Sequence, residues 1–138
     1  MIDLSGVFIP AVTPFDPDTG ELDLEAMSGN LRRWTDFPIQ GVVIAGTTGE
    51  AVLVDEEERL ALVRQARKVL PERVLLTVGT GLESTRATLR LSRAVAQEGA
   101  EAVLVQPPAY YKGAMTPEAL REHYLAIADG SPVPVIVY

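Results

Sequence analysis

Residues 41–50 read Gly-Val-Val-Ile-Ala-Gly-Thr-Thr-Gly-Glu, an apolar run that breaks into two glycines around two hydroxyls. The apolar half has the composition of a strand buried on both faces, as in a parallel sheet. Small residues at the end of such a strand allow a ligand to approach the backbone closely. Ligand sites in parallel α/β folds gather at this carboxyl edge of the strands. Thr47 and Thr48 are therefore the first candidates for a functional site.

Working outward from this strand, the chain alternates between short apolar runs and helical patterns. Strands are predicted over residues 7–12, 39–45, 74–78, 102–106 and 133–138. Helices are predicted to follow the N-cap residues Asp23, Ser84 and Thr116, the last one running to Ala128, and a further helix is predicted to start at the acidic run of residues 55–58. The positions predicted to face the core are Leu24, Met27, Leu31 and Trp34, then Leu60, Val63, Ala66 and Leu70, then Ala87, Leu91, Ala94 and Val95.

The strand ends recur about every 30 residues, which predicts a parallel sheet with right-handed crossovers. Four strand-helix units followed by a fifth strand fit two architectures. One is a five-stranded doubly wound sheet, and the other is the first half of a (β/α)8 barrel. A complete barrel needs on the order of 250 residues, so a chain of 138 residues cannot close one alone.

Composition narrows the classes of function. The formal net charge of −7 argues against nucleic acid or an anionic membrane surface as a partner. The absence of cysteine excludes disulfides and thiolate chemistry, and a single histidine argues against a zinc site or a histidine-based triad. The first residues lack the pattern of a signal peptide, and no apolar run reaches membrane-spanning length. We expect a cytoplasmic protein with no metal and no cofactor.

The loop at residues 46–50 combines hydroxyls with backbone N–H groups close to the start of a helix. Such a site suits a small anion, and a carboxylate is the natural candidate. The alternative is a strand-to-helix turn that is merely well capped.

Tyrosines follow two other predicted strands: Tyr110 and Tyr111 come after the fourth, and Tyr138 ends the fifth. Phenols and hydroxyls at neighbouring strand ends can form a proton relay with Thr47. Taken singly, each tyrosine is more typical of a rim or packing aromatic. Lys112 lies on the same predicted face but would be a poor amine nucleophile without burial.

Five segments together resemble the dihydrodipicolinate synthase / N-acetylneuraminate lyase family of pyruvate-dependent class I aldolases. They stand in family order and at family spacing, and the GTTGE loop is the most specific of them. The segments are residues 6–15 (GVFIPAVTPF), 46–50 (GTTGE), 78–81 (VGTG), 108–111 (PAYY) and 135–138 (VIVY).

The resemblance implies a (β/α)8 barrel and a role for each matched residue. Thr48 and its backbone, with Thr47 and Gly49, would hold the carboxylate of pyruvate. Tyr138 would shuttle protons at the Schiff-base carbon, linked through Thr47 to a tyrosine supplied across a dimer interface. Tyr111 is assigned this last role.

Tyr110 is the alternative relay tyrosine, because this segment is longer than the synthase pattern. The partners implied are pyruvate, an aldehyde and further copies of the chain in a dimer or tetramer. The family's Schiff-base lysine lies on a sixth strand, and neither Lys68 nor Lys112 occupies an equivalent position. We therefore expect residues 1–138 to be the N-terminal half of a single TIM-barrel domain, carrying about half an active site of a longer enzyme.

Three alternatives to a dihydrodipicolinate synthase remain open at this point. The segment from 81 to 85 together with that from 109 to 113 looks closer to 4-hydroxy-2-oxoglutarate aldolases, and a 2-keto-3-deoxy-sugar-acid aldolase is similar. A non-catalytic half-barrel is the second alternative. A doubly wound domain that binds a small ligand is the third.

Overall fold

The computed structural model describes residues 2–138; Met1, which is included in the predicted domain, lies outside this range. The strands are β1 Phe8–Pro10, β2 Gly41–Ile44, β3 Leu75–Gly79, β4 Ala102–Val105 and β5 Val135–Val137. The α-helices are α1 Leu24–Trp34, α2 Glu56–Val69, α3 Thr85–Gln97 and α4 Pro117–Gly130, with a 3-10 helix at Lys112–Ala114. Within residues 2–138, no helix has both the length and the apolar character needed to cross a membrane.

The strand order decides between the two architectures. The sheet runs β1-β2-β3-β4-β5 in chain order, and every neighbouring pair is parallel. Right-handed crossovers between consecutive strands all place their helices on the same face, and consecutive helices pack against one another. A doubly wound sheet reverses its strand order and places helices on both faces. The fold is therefore the first half of a (β/α)8 barrel, and the doubly wound alternative is wrong.

The N-caps predicted at Asp23, Ser84 and Thr116 are confirmed, and Asp55 caps α2 in the same way. In each case the side chain of the cap accepts a hydrogen bond from the backbone N–H three residues later, which satisfies a donor that the helix leaves free. Asp55 also completes a capping box, since the Glu58 side chain accepts from the Asp55 backbone N–H. The cap and donor pairs are Asp23 with Ala26, Asp55 with Glu58, Ser84 with Ala87 and Thr116 with Ala119.

The buried helix faces differ in part from the prediction. On α2 the face is formed by Arg59, Leu62, Val63 and Ala66, while Leu60 is half-buried. On α3 two small polar residues, Thr88 and Ser92, are buried in place of Ala87 and Ala94, which are half-buried. Both find partners: the Ser92 hydroxyl lies 2.9 Å from that of Thr80, and the Thr88 hydroxyl donates to the carbonyl of Leu82. These bonds tie α3 to the loop after β3.

Two boundaries differ for identifiable reasons. Helix α4 continues to Gly130 rather than Ala128, and it ends at Ser131, which has an extended ψ of 135°. Ser131 precedes Pro132, and the proline ring disfavours helical geometry in the residue before it. Strand β1 is shorter than predicted and includes Pro10. It borders a single strand among the described residues, which fits the absent N–H of proline.

Candidate functional site

The loop after β2 is a tight turn with unusual backbone conformations at both ends. Ala45 and Glu50 have positive φ values of 48° and 55°, a region that costs non-glycine residues free energy and that surrounding contacts must hold. Inside the turn, Glu50 N–H donates to the Thr47 carbonyl at 3.1 Å and Ala51 N–H to the Gly46 carbonyl at 3.2 Å. The loop is thus a fixed structure.

The β1 side of the sheet holds this loop through Gly49. The buried Thr13 hydroxyl donates to the Gly49 carbonyl at 2.7 Å. A Cβ on Gly49 would lie 2.8 Å from the Ala11 carbonyl oxygen, so only glycine fits here. Gly49 therefore allows the backbone of this loop to approach the backbone at Ala11, which follows β1. The same lack of a side chain can also let a ligand approach.

Arg59 holds the loop from the other side. It is only 2% exposed, and its guanidinium donates to the carbonyls of Gly79, Ala51 and Val54. It forms no ion pair within residues 2–138. Burial away from water lowers the pKa of Arg59, and the charge of Glu56 opposes that effect.

The N–H groups of Thr47, Thr48 and Gly49 follow one another along this turn, where the threonines are exposed and Gly49 is buried. None of the three donates to an acceptor in the part of the chain that the structure describes, and the side chains of both threonines are exposed. Successive free N–H groups in a turn form a concave site that favours anions. The arrangement can therefore bind a carboxylate.

The structure brings Thr47 and Tyr138 together, although they are 91 residues apart in sequence. Their hydroxyl oxygens are 3.5 Å apart, which is longer than a strong O–H···O bond of about 2.7 Å. The Tyr138 backbone N–H donates to the Val105 carbonyl at 3.0 Å, and this bond fixes the residue at the end of β5. A proton can pass between the two hydroxyls after a small approach.

Tyr110 and Tyr111 lie apart from this pair. They are 78% and 70% exposed, and their rings meet edge to face at 4.9 Å. Among the described residues neither forms a hydrogen bond to Thr47 or Tyr138. The Glu83 carboxylate fixes their loop by accepting from the N–H groups of Ala109 and Tyr110.

A cleft of about 550 Å³ opens beside these residues at the carboxyl edge of the sheet. Arg59, Glu83, Gln106 and Tyr138 supply its polar walls. Lys68 and Lys112 are both exposed and do not line it. The single histidine, His123, lies on α4 instead, with Nδ1 2.8 Å from the Thr85 hydroxyl.

Sequence reasoning missed Arg59, Thr13 and Glu83. Arg59 follows three acidic residues at the start of α2, and a charged segment of this kind is typical of a helix start that is exposed to solvent. Its spacing carries the contrary signal, because it precedes Leu62 and Val63 by three and four residues and thus shares their buried face. Thr13 and Glu83 have no comparable local signal, because their hydrogen-bond partners are distant in sequence. Gly49 is 36 residues from Thr13, and Ala109 is 26 residues from Glu83.

Two curated proteins of similar sequence carry related names. A 4-hydroxy-tetrahydrodipicolinate synthase of Xanthomonas axonopodis pv. citri is 39% identical over 137 residues, covering 99% of this chain and 44% of that protein. A probable mitochondrial 4-hydroxy-2-oxoglutarate aldolase of Emericella nidulans is 36% identical over 137 residues, covering 96% of this chain and 44% of that protein. The chain thus spans a little under half the length of these relatives.

Solved structures agree with the sequence relatives. A dihydrodipicolinate synthase of Bacillus anthracis superposes with a TM-score of 0.90 at 32% identity, over 100% of this chain and 46% of that one. The chloride-inhibited dihydrodipicolinate synthase of Acinetobacter baumannii, crystallised with pyruvate, gives 0.90 at 34% identity, over 99% and 46%. The dihydrodipicolinate synthetase family itself matches residues 3–138. On this match, on the relatives and on the half-barrel, the chain belongs to the dihydrodipicolinate synthetase family.

Proposed function

We propose that this chain supplies the pyruvate-binding and proton-transfer half of a class I aldolase active site. The reaction would join pyruvate, held as a Schiff base on a lysine from a later strand, to an aldehyde, or cleave the corresponding product. The observation that carries the proposal is the three unpaired N–H groups of residues 47–49 next to the Thr47–Tyr138 hydroxyl pair. Residues 1–138 would form the N-terminal half of one barrel domain.

The carboxylate of pyruvate would bind at the tip of the loop. The N–H groups of Thr48 and Gly49, with the Thr48 hydroxyl, offer neutral donors in a turn whose conformation is already fixed by Thr13 and Arg59. Hydrogen bonds to an ionised acceptor are shorter and about twice as strong as neutral ones. A loop that is ordered before binding loses little further entropy on binding. The Thr47 N–H would complete the site.

Tyr138 would move protons at the keto carbon of bound pyruvate. When the lysine amine adds to that carbon, the oxygen leaves as water and needs a proton, which a phenol can donate and later recover. The Thr47 hydroxyl would return the proton along the chain of hydroxyls. A positioned acid or base of this kind contributes roughly 10²–10⁴ in rate.

The tyrosine at the far end of the relay would come from a second copy of the chain. Tyr111, or Tyr110 as the alternative, projects into solvent on a loop braced by Glu83. Val52 and Leu53 are also strongly exposed, at 82% and 67%, and Val52 and Ala109 line the same cleft. An exposed apolar rim beside a cleft fits a homo-oligomeric interface, dimeric or tetrameric.

The proposed substrates are pyruvate and an aldehyde of unspecified structure. Relatives of nearly equal identity are named as a synthase and as an aldolase, and these reactions share the pyruvate half. A cytoplasmic location remains a prediction from sequence; the name of the Emericella relative assigns that protein to mitochondria.

The proposal is tested by adding sodium pyruvate to the ¹⁵N-labelled chain and following the amide resonances. We expect saturable shifts of the amides of residues 47–49. Methyl pyruvate keeps the keto group but lacks the negative charge, so it should leave these amides unchanged. The variant Thr48→Val, which removes one donor at constant shape, should weaken binding of pyruvate. Equal shifts with the ester, or none with pyruvate, would contradict the carboxylate site.

The predicted absence of the Schiff-base lysine is tested separately. The chain is incubated with pyruvate and borohydride, and its intact mass is measured. We expect no reduced adduct, because Lys68 and Lys112 are both exposed and neither lines the cleft. An adduct that maps to Lys112 would show that a residue of this chain performs the covalent step.

A further inference from the structure

Arg59 is a buried charge that forms no ion pair with a carboxylate within residues 2–138, and only the charge of Glu56 opposes the effect of its burial. It is 2% exposed, and within residues 2–138 its hydrogen-bond acceptors are three backbone carbonyls. Its Nε is buried and has no partner among the described residues. A buried cation without a counter-ion is costly to retain, so a position of this kind calls for a reason beyond packing.

The three acceptors belong to two different segments. Ala51 and Val54, whose carbonyls accept at 2.6 Å and 3.3 Å, lie in the connection from β2 to α2. Gly79, whose carbonyl accepts at 2.5 Å, is the last residue of β3. The rigid, planar guanidinium therefore cross-links the loop to the neighbouring strand. Lysine has no such fork, since its ammonium is a point charge on a flexible stem.

Arg59 also lies next to the proposed relay. A small cavity of about 10 Å³ is lined by Arg59 together with Thr47, Gln106 and Tyr138. The loop that Arg59 holds contains the N–H groups of residues 47–49 and carries positive φ values at Ala45 and Glu50. These conformations persist only where surrounding contacts enforce them.

We propose that Arg59 is the positioning residue of the carboxylate loop: by bridging Ala51, Val54 and Gly79 it keeps the N–H groups of residues 47–49 aimed at pyruvate. This inference rests on the proposed function for the identity of the ligand. Its mechanical part, that Arg59 holds the loop, stands on the contacts alone.

The test compares Arg59→Met and Arg59→Lys with the unchanged chain. Arg64→Met is the matched control, because Arg64 lies on the same helix but is exposed and pairs with Glu98. Two quantities are measured: hydrogen exchange of the Glu50 and Ala51 amides relative to those of β3 and β4, and the Kd for pyruvate from the amide shifts.

For Arg59→Met we expect the two loop amides to exchange roughly tenfold faster or more, since several charge-assisted bonds are lost. The strand amides should change much less, and the Kd for pyruvate should rise by a similar factor. Arg59→Lys should recover part of both effects, and Arg64→Met should change neither. Loop and strand amides that accelerate together, or an unchanged Kd with a loosened loop, would overturn the positioning role.

A measurement on the unchanged chain covers the case in which Arg59→Met does not fold. Bonded and buried guanidinium protons of Arg59 should exchange far more slowly than those of exposed arginines, and more slowly still with pyruvate bound, because the ligand stabilises the clamped loop. Exchange as fast as at an exposed arginine would overturn the proposal. Failure of the unchanged chain to bind pyruvate would instead refute the proposed function, and the exchange rates would then decide on Arg59 alone.

Discussion

Replacing Gly79 with alanine tests the closest approach between two strands at the site. Gly79 ends β3 beside Ala45, the residue that follows β2. A Cβ built on Gly79 would lie 2.7 Å from the Ala45 carbonyl carbon and nearer still to its oxygen. Ordinary contact begins at 3.4 Å, so the two backbones must separate by at least 0.7 Å.

The cost follows from what this separation disturbs. Overpacking of a filled site costs about 1–3 kcal/mol. The movement also strains the sheet bonds between β2 and β3 and displaces the Gly79 carbonyl that Arg59 uses, and each weakened bond adds about 1 kcal/mol. We expect Gly79→Ala to lower the free energy of unfolding by about 3 kcal/mol or more.

The assay is urea unfolding monitored by circular dichroism, with Gly29→Ala as the matched control. Gly29 lies within α1, and a Cβ there meets nothing within 4 Å. Alanine should therefore stabilise this helix by roughly 0.5–1 kcal/mol. If Gly79→Ala unfolds within about 0.5 kcal/mol of the unchanged chain, where ordinary surface substitutions fall, the close strand approach described here is wrong.

Three further changes have defined outcomes. Asp55→Ala removes the capping box of α2 and should cost about 1–2 kcal/mol in urea unfolding, whereas Glu57→Ala, at a position with no such capping bond, should cost little. Thr13→Val keeps the side-chain shape but leaves the buried Gly49 carbonyl without its donor; a loss of about 1–3 kcal/mol is expected, and a neutral result would contradict this bond. Burial lowers the pKa of His123 from its ordinary 6.5, so the unfolded chain binds the proton more readily. This contribution to stability should be fully present above the unfolded pKa of 6.5 and be lost as the pH falls below it and through the lower pKa of the folded state. His123→Gln should remove that part of the pH dependence.

Local signals account for the elements that were predicted correctly. An N-cap bond spans three residues, and a helical face repeats every three or four, so both are legible in a short stretch of sequence. The caps at Asp23, Ser84 and Thr116 are accordingly confirmed. On α2 the predicted positions Val63, Ala66 and Leu70 are buried, whereas Leu60 is half-buried. The buried face also includes Arg59, which its charge and the acidic residues before it did not indicate.

The sequence by itself determined the alternation of strands and helices, the helix starts and, through the GTTGE loop and its companion segments, the family. Tertiary structure alone decided the sequential strand order, the approach of Thr47 to Tyr138 and the burial of Arg59 against three carbonyls. The physical reason is distance along the chain. A contact between residues 91 positions apart depends on how every intervening strand and helix packs, and no short window of sequence contains that information.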